Sequence, residues 1–165
     1  MRRQTSRRAR TTRRTDEARG AVTVEFVLVL PFFLFLIFLL IGMGTMFSFR
    51  QALSQAATEG ARAAAVQPLN ATDSARTGDA LAAINGTLGA QADVTCASGV
   101  LKRRGVTAGT CSVSAPTTCD GDKKCVTVRL TYNYRDHQVT GSMPFVPSAL
   151  YPSALTYVSS ARVSQ

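Results

Sequence analysis

An uncharged and strongly apolar run of 24 residues lies between Glu25 and Arg50. Its residues 26–47 have the sequence FVLVLPFFLFLIFLLIGMGTMF. The hydrocarbon core of a bilayer is about 30 Å thick, which takes about 20 residues of helix at roughly 1.5 Å per residue. A secretory signal peptide has a shorter apolar stretch that ends at a small-residue cleavage site, and no such site directly follows this run. We therefore predict an uncleaved transmembrane helix over residues 21–49.

The positive charge of the chain is concentrated before this run. The chain has 19 Lys and Arg residues against 10 Asp and Glu residues, and eight of the arginines fall within residues 1–20. A short arginine-rich tail before a membrane span stays in the cytoplasm, so the rest of the chain is exported. The pattern predicts a single-pass protein of the cell membrane, with a basic cytoplasmic leader over residues 1–20 and an extracytoplasmic C-terminal domain.

Helix-forming residues continue beyond the span, and residues 50–66 contain no proline. They predict an exported continuation of the same helix, and Pro31 is expected to kink its membrane-spanning part. Small side chains recur at helical spacing on one face of residues 50–66, among them Gly60, Ala61 and Ala64. Such a face predicts close helix packing, either against the globular part of the same protein or against another subunit.

Residues 67–165 are predicted to form a small extracytoplasmic domain. A helix is expected over residues 73–88, with a Thr or Asp cap at its start and Gly86 or Gly89 beyond its end. After this helix the apolar pattern changes to period 2, which is typical of strands. The fold class is therefore α+β, in which a long N-terminal transmembrane helix continues into an exported helix and is followed by a small, disulfide-containing antiparallel β-sheet domain.

The clearest strand signal is the alternation of apolar and polar residues over 124–134, KCVTVRLTYNY. Shorter strands are expected over residues 92–97, 110–114 and 155–163. The turn-rich segments 98–109 and 115–123 are expected to be loops.

All four cysteines lie in the exported part of the chain, at positions Cys96, Cys111, Cys119 and Cys125. Their spacing lacks the paired C-x₂-C of a zinc ribbon. An even number of cysteines in an exported domain predicts two disulfides. Four cysteines allow three pairings, and among these we favour Cys96–Cys111 with Cys119–Cys125.

A short motif stands where the basic leader meets the apolar run: residues 20–26 have the form G-x-x-x-x-E-F. This arrangement resembles the processing site of type IV prepilins. The resemblance implies that a membrane prepilin peptidase cuts after Gly20 and leaves Ala21 as the new N-terminus. It also implies that Glu25, followed by Phe26, acts in assembly by meeting the N-terminal amine of a neighbouring subunit. A carboxylate at the edge of the hydrocarbon is costly unless it is paired, so it selects a partner of opposite charge.

The wider stretch resembles the TadE-like family. The shared features are V-E-F before the span, a proline six residues after the glutamate, and the sequence ATEGARA over residues 57–63. The resemblance implies a non-enzymatic minor pilin or pseudopilin of a tight-adherence type IV pilus. Its implied partners are a prepilin peptidase, other pilus or assembly-platform subunits that pack on the N-terminal helix, and the lipid bilayer.

A second hypothesis is an unprocessed, signal-anchored binding module that contacts DNA or a surface polymer through basic loops. Its contacts would be Lys102, Arg103 and Arg104. No aromatic residues interleave with these cations to stack on bases, which favours the pilin hypothesis.

The chain has one histidine, His137, and neither a P-loop nor a recognisable nucleophile motif. We therefore expect no catalytic residue, no cofactor and no metal.

Overall fold

The computed structural model of the protein describes residues 5–68, 70–144 and 146–163. The chain divides into two compact units, Met1–Ile41 and Gly42–Gln165. The second unit contains the end of a long N-terminal helix, a shorter helix and a six-stranded sheet in which all paired strands are antiparallel. The α+β prediction is confirmed.

The N-terminal helix, α1, runs over Thr5–Val66 and includes Pro31. It begins upstream of the expected start near residue 21, because residues 5–19 contain neither proline nor glycine and are rich in helix-forming Arg. It ends two residues before Pro68, a residue that cannot continue a helix and disfavours helical backbone in its predecessor. The part of α1 that begins at Thr23 is long and apolar enough, in length and composition, to cross a membrane.

The second helix, α2, spans Asp73–Ala92, and Thr72 is its N-cap. The Thr72 hydroxyl oxygen accepts a hydrogen bond from the Ala75 N–H at 3.3 Å. This bond satisfies one of the N–H groups that a helix start leaves without a partner.

The expected end of α2 before Gly86 or Gly89 is wrong, because both glycines lie inside the helix. A glycine in a helix costs about 1 kcal/mol relative to alanine. The burial of Leu88 and Ala92 on the inner face of α2 outweighs that cost. The helix ends instead at Asp93, whose backbone has a φ of 54° and whose N–H donates to the carbonyl of Gly89.

The sheet has the strand order β1-β2-β3-β5-β4, and β6 also pairs with β5. The strands are β1 (Val94–Ala97), β2 (Val100–Arg103), β3 (Val106–Val113), β4 (Thr117–Asp120), β5 (Lys123–Tyr132) and β6 (Leu155–Arg162). A short 3₁₀ helix, Ser148–Leu150, precedes β6. The central strand is β5, since it pairs with β3, β4 and β6.

Two strands, β2 and β4, lie in segments that the sequence predicted to be loops. Two-residue turns make β1, β2 and β3 into consecutive hairpins, with Ser98-Gly99 in the first turn and Arg104-Gly105 in the second. All four residues have positive φ angles. That conformation matches the twist of the flanking strands, and it is the one that Asn-Gly and Asp-Gly usually supply. Arg-Gly is a weak signal for such a turn, which is why β2 was missed.

The inward face of β5 forms the core of the second unit. Its alternating residues are buried, which confirms the predicted period: Val126, Val128, Leu130, Tyr132 and, just beyond the strand, Tyr134. The Phe49 ring of α1 lies 4.7 Å from the Tyr132 ring in an edge-on contact. Ala64, four turns farther along α1, belongs to a buried cluster with Val126. The last part of α1 therefore lies along the length of β5.

The two disulfides join neighbouring parts of the sheet. Cys96 in β1 is bonded to Cys111 in β3, and Cys119 in β4 is bonded to Cys125 in β5. This is the pairing that the sequence analysis favoured among three. Asn85 of α2 holds the outer edge of β1, because its side-chain oxygen accepts from the Cys96 N–H at 2.6 Å and its amide donates to the Cys96 carbonyl at 3.2 Å.

Candidate functional site

The predicted processing and assembly residues all lie in the first half of α1. Gly20 and Ala21 have helical backbone, and their side chains lie outside the described part of the structure. Glu25 is exposed, and Phe26 beside it is 63% exposed. Pro31 is accommodated within the helix.

Glu25 is surrounded on the helix surface by exposed apolar side chains. They include Val24, Phe26, Leu28 and Val29. A carboxylate in this setting has a chemical use only if a cation meets it, because an unpaired charge among apolar groups is costly once water is removed. The arrangement can therefore recognise an amine or a basic side chain.

The face of small residues on α1 packs against the protein's own domain. Gly60, Ala61 and Ala64 are buried within the second unit. A Cβ atom on residue 60 would lie 2.7 Å from Cγ1 of Ile84 in α2, so glycine allows the two helices to approach closely. The sequence left open whether this face packs against the same protein or against another subunit. In the structure these three residues pack against the same protein.

Arg76 of α2 has a structural role that the sequence analysis missed. Its side chain is 2% exposed. Its guanidinium donates to the carbonyl of Ala64 at 3.1 Å and to that of Gln67 at 3.0 Å, and it also donates to the Pro68 carbonyl. The last carbonyls of a helix have no partner within the helix, so Arg76 closes the C-terminal end of α1.

A sequence signal for Arg76 exists in the spacing of α2. The buried residues of this helix recur every fourth position, at Arg76, Ala80, Ile84, Leu88 and Ala92. An arginine at a position of this buried, four-residue repeat either is itself buried and hydrogen-bonded, or marks the point where the apolar face of the helix ends. Burial of an arginine is costly unless its donors are bonded; both terminal nitrogens of Arg76 are bonded, whereas its buried Nε has no partner among the described residues.

The basic turn that was predicted to contact polyanions is largely committed to other bonds. Arg103 is half-buried, and its guanidinium donates to the carbonyls of Gln138 at 2.5 Å and Val139 at 2.6 Å. Both terminal nitrogens of the Arg103 guanidinium thus already bind backbone carbonyls, so a polyanion contact through Arg103 would compete with these bonds and stays a prediction. Arg104 forms an exposed ion pair with Asp93 at 3.6 Å, and Lys102 is exposed.

Another group of cations lies at the opposite end of β5. Lys123, Lys124 and Arg162, with Val163, line a cavity of about 300 Å³. Because Val163 belongs to the same cluster as Ala64, this group lies near the C-terminal end of α1. Three positive side chains around one cavity favour an anion over a neutral solute.

Four aromatic rings gather at the other end of β5, where α1 enters the domain. They are Phe49, Tyr132, Tyr134 and Tyr151, and the Tyr134 and Tyr151 rings lie 5.8 Å apart. The Tyr132 hydroxyl donates to the carbonyl of His137 at 2.7 Å. Burial raises the pKa of both Tyr132 and Tyr134, although Arg103 partly lowers the first and a hydrogen bond with Thr45 partly lowers the second.

These raised pKa values predict a loss of stability at alkaline pH. Tyrosines of the unfolded chain ionise near pH 10.0, whereas Tyr132 and Tyr134 stay neutral to higher pH in the folded chain. The unfolded state then binds fewer protons, so the free energy of unfolding should be unaffected below about pH 9 and fall as the pH rises through 10 and above.

Urea unfolding of the full chain in detergent micelles at a series of pH values measures this effect. Tyr132→Phe should flatten the alkaline decrease, although its stability at neutral pH should be lower because the bond to His137 is lost. The matched control is Tyr157→Phe in β6, which should keep the decrease. An unchanged slope in Tyr132→Phe would contradict the prediction.

The described residues contain no group of three or more His, Cys, Asp or Glu side chains that could hold a metal ion. The backbone of His137 forms two hydrogen bonds: its N–H donates to the carbonyl of Asn133, and its carbonyl accepts from the Tyr132 hydroxyl.

Comparison with known proteins identifies a family whose model matches part of the chain. Residues 20–62 match the family model described as TadE-like protein, whereas curated proteins and solved structures give no match. The matched stretch begins at Gly20 and includes Glu25, the whole apolar run and the helix that carries Gly60. Residues 20–62 are thus similar to the TadE-like family, and the resemblance found in the sequence is confirmed over that stretch.

Proposed function

We propose that this chain is a non-enzymatic minor pilin or pseudopilin for the assembly of a tight-adherence type IV pilus. A prepilin peptidase cleaves it after Gly20, and its N-terminal helix holds it in the cell membrane. The leader is cytoplasmic and the domain is extracytoplasmic, where it serves assembly, adhesion or surface attachment. The observation that carries the proposal is the TadE-like match, which begins at the glycine of the G-x-x-x-x-E-F motif.

The surface of α1 supports a role in assembly. Between Val24 and Leu40 the helix exposes many large apolar side chains, which in an aqueous protein would be an aggregation hazard. A bilayer or the helices of other pilus subunits would cover them. Glu25 is the one charged residue at the start of this surface.

Glu25 provides a means of selecting the correct neighbour. Cleavage after Gly20 would create a positive α-amine on Ala21, four residues from Glu25 in the sequence. When a neighbouring helix packs alongside, its amine can neutralise the Glu25 carboxylate at the edge of the hydrocarbon. An unprocessed chain has no amine at that position, so processing and assembly would be coupled by charge.

The exported domain supports the proposed topology. Two disulfides persist only in an oxidising compartment, and both lie in the second unit. Because the last part of α1 is buried in the domain core, the membrane helix and the domain share one element.

The N-terminus of the protein purified from its native membrane tests the proposal. We expect an intact mass and an N-terminal sequence that begin at Ala21. A Gly20→Leu variant should keep its leader, because a side chain on residue 20 would not fit a cleft shaped for glycine. Gly44→Leu is the matched control, since a Cβ at residue 44 meets open space within the structure, and it should be processed normally.

A wild-type chain that keeps residues 1–20 in a host with an active prepilin peptidase would refute the proposal. It would leave the signal-anchored binding module as the alternative. In that case neutralising Lys123 and Lys124 would be the informative substitution, because Arg103 is bound to backbone carbonyls.

A further inference from the structure

An uncharged loop lies beside the point where α1 enters the domain. Residues 146–152 have the sequence VPSALYP, and we call them the apolar loop. The loop includes the 3₁₀ helix Ser148–Leu150 and precedes β6. Pro147, Ser148, Ala149 and Leu150 are exposed, whereas Tyr151 is buried.

Tyr151 fixes the apolar loop against α1. A Cβ atom on residue 42 would overlap the Tyr151 hydroxyl, and it would lie 3.3 Å from the ring carbon that carries this hydroxyl. Only a glycine at this position allows the contact. The Tyr151 carbonyl accepts two hydrogen bonds from the guanidinium of Arg135, at 3.2 and 3.0 Å. The loop is therefore held at a defined height on the helix.

The position on α1 that Tyr151 contacts, Gly42, lies within the apolar run. Gly42 precedes Phe47, the last residue of the apolar run, by five positions, which corresponds to roughly 7.5 Å along a helix. Interfacial segments lie with their apolar side about 5–10 Å into the boundary between headgroups and acyl chains. If α1 spans the bilayer, the Tyr151 hydroxyl lies at that boundary, where tyrosine is enriched.

The composition of the apolar loop suits lipid better than water. Leu150 is 48% exposed and no charged residue lies within the loop. The N–H groups of Leu150 and Tyr151 donate to the carbonyls of Pro147 and Ser148, both at 3.1 Å. Pro147 and Pro152 have no N–H to satisfy. Since unpaired backbone donors are what excludes loops from lipid, the described backbone bonds lower the cost of insertion.

We propose that the apolar loop inserts into the headgroup–acyl boundary of the membrane next to α1 and gives the domain a second contact with lipid. The inference rests on the proposed membrane anchoring by α1. A second point of contact with lipid restricts the tilt of the domain against the membrane surface. The loop would thereby present the opposite end of β5, with Lys123 and Lys124, away from the bilayer.

The absence of tryptophan from the chain allows a direct test. Leu150→Trp, Val158→Trp and Leu36→Trp would each place one tryptophan in the full chain, reconstituted in phosphatidylcholine vesicles. Val158 is the matched control because it is an apolar β6 residue with 49% exposure, nearly that of Leu150. Leu36 lies in the proposed span and reports whether α1 is in the bilayer.

We expect the Leu150→Trp emission to be blue-shifted and quenched by lipid brominated near the ester end of the acyl chain, about twofold more than the Val158→Trp emission. The Val158→Trp emission should instead be quenched by aqueous iodide. A Leu150→Trp signal that responds like Val158→Trp, while Leu36→Trp is quenched by lipid, would overturn the loop proposal alone.

Two other outcomes also decide the question. A blue shift of Leu150→Trp without quenching by brominated lipid would mean that protein covers the loop, and it would overturn the lipid assignment. Leu36 lies at the middle of the apolar run 26–47, so its quencher is lipid brominated near the methyl end of the acyl chain. Failure of that lipid to quench Leu36→Trp would show that α1 is not in the bilayer, which would overturn the anchoring that both proposals require.

Discussion

Replacing Arg76 by methionine should lower the free energy of unfolding by about 3–5 kcal/mol, since three backbone carbonyls would lose a charged donor in a buried place. Methionine keeps the packing of the aliphatic stem of arginine but ends before the position of the guanidinium. The carbonyl of Ala64 would be left buried without this donor, and the partly buried carbonyls of Gln67 and Pro68 would have to bond to water instead. The expected result is a frayed end of α1 as well as a less stable domain.

Urea unfolding of the full chain in detergent micelles, followed by near-ultraviolet circular dichroism, measures the loss. Arg129→Met is the matched control because Arg129 is an exposed residue of β5, and its effect should stay within about 0.5 kcal/mol. Arg76→Lys should recover part of the stability, as an ammonium can donate to these carbonyls without the planar geometry of a guanidinium. Equal stabilities of Arg76→Met and Arg129→Met would contradict the assignment.

The Cys96–Cys111 disulfide should contribute more to stability than Cys119–Cys125. The first bridge closes a loop with a sequence separation of 15 and the second one of 6. Loop-closure entropy predicts about 3 kcal/mol for the longer loop and about 2 kcal/mol for the shorter. Cys96 and Cys111 are both buried, whereas Cys119 is exposed, so the first pair also loses packing when it is replaced.

Two double variants to alanine test this order, because alanine adds no buried hydroxyl group. Removal of the Cys96–Cys111 pair should lower the free energy of unfolding by about 4 kcal/mol in total, and removal of the other pair by about 2 kcal/mol. Each variant serves as the control for the other, since both lose one bridge from the same sheet. A larger loss from the Cys119–Cys125 pair would refute the prediction.

Local chemistry was sufficient to predict several parts of this protein. The apolar run between Glu25 and Arg50 requires a helix whatever surrounds it, because no other single segment satisfies its backbone away from water. The alternation of apolar and polar residues in β5 predicted which of its side chains face the core, since side chains along a strand alternate between two faces. The G-x-x-x-x-E-F motif pointed to the family through residues next to one another in the chain.

The missed elements depend on turns and on packing. β2 and β4 are four residues each, too short to show a period, and they exist because their neighbours pair with them. The extra turn of α2 exists because Leu88 and Ala92 find a buried surface. Neither the strand pairing nor the buried surface can be predicted from local propensity.

The partner of the small-residue face was also undecided by sequence. Gly60, Ala61 and Ala64 fit any helix that approaches closely, so their spacing describes a surface and leaves its occupant open. The structure places Ile84 of α2 against Gly60 and thereby makes the end of α1 part of the domain core.

The charged residues give the clearest contrast between what the sequence determines and what the tertiary structure determines. The arginines of residues 1–20 define the basic leader by their number, because orientation in a membrane depends on how many positive charges flank a span. The roles of Arg76, Arg103 and Arg135 depend on which carbonyls lie within reach of each guanidinium. Those carbonyls are 8 to 36 residues away along the chain, so only the tertiary structure brings donor and acceptor together.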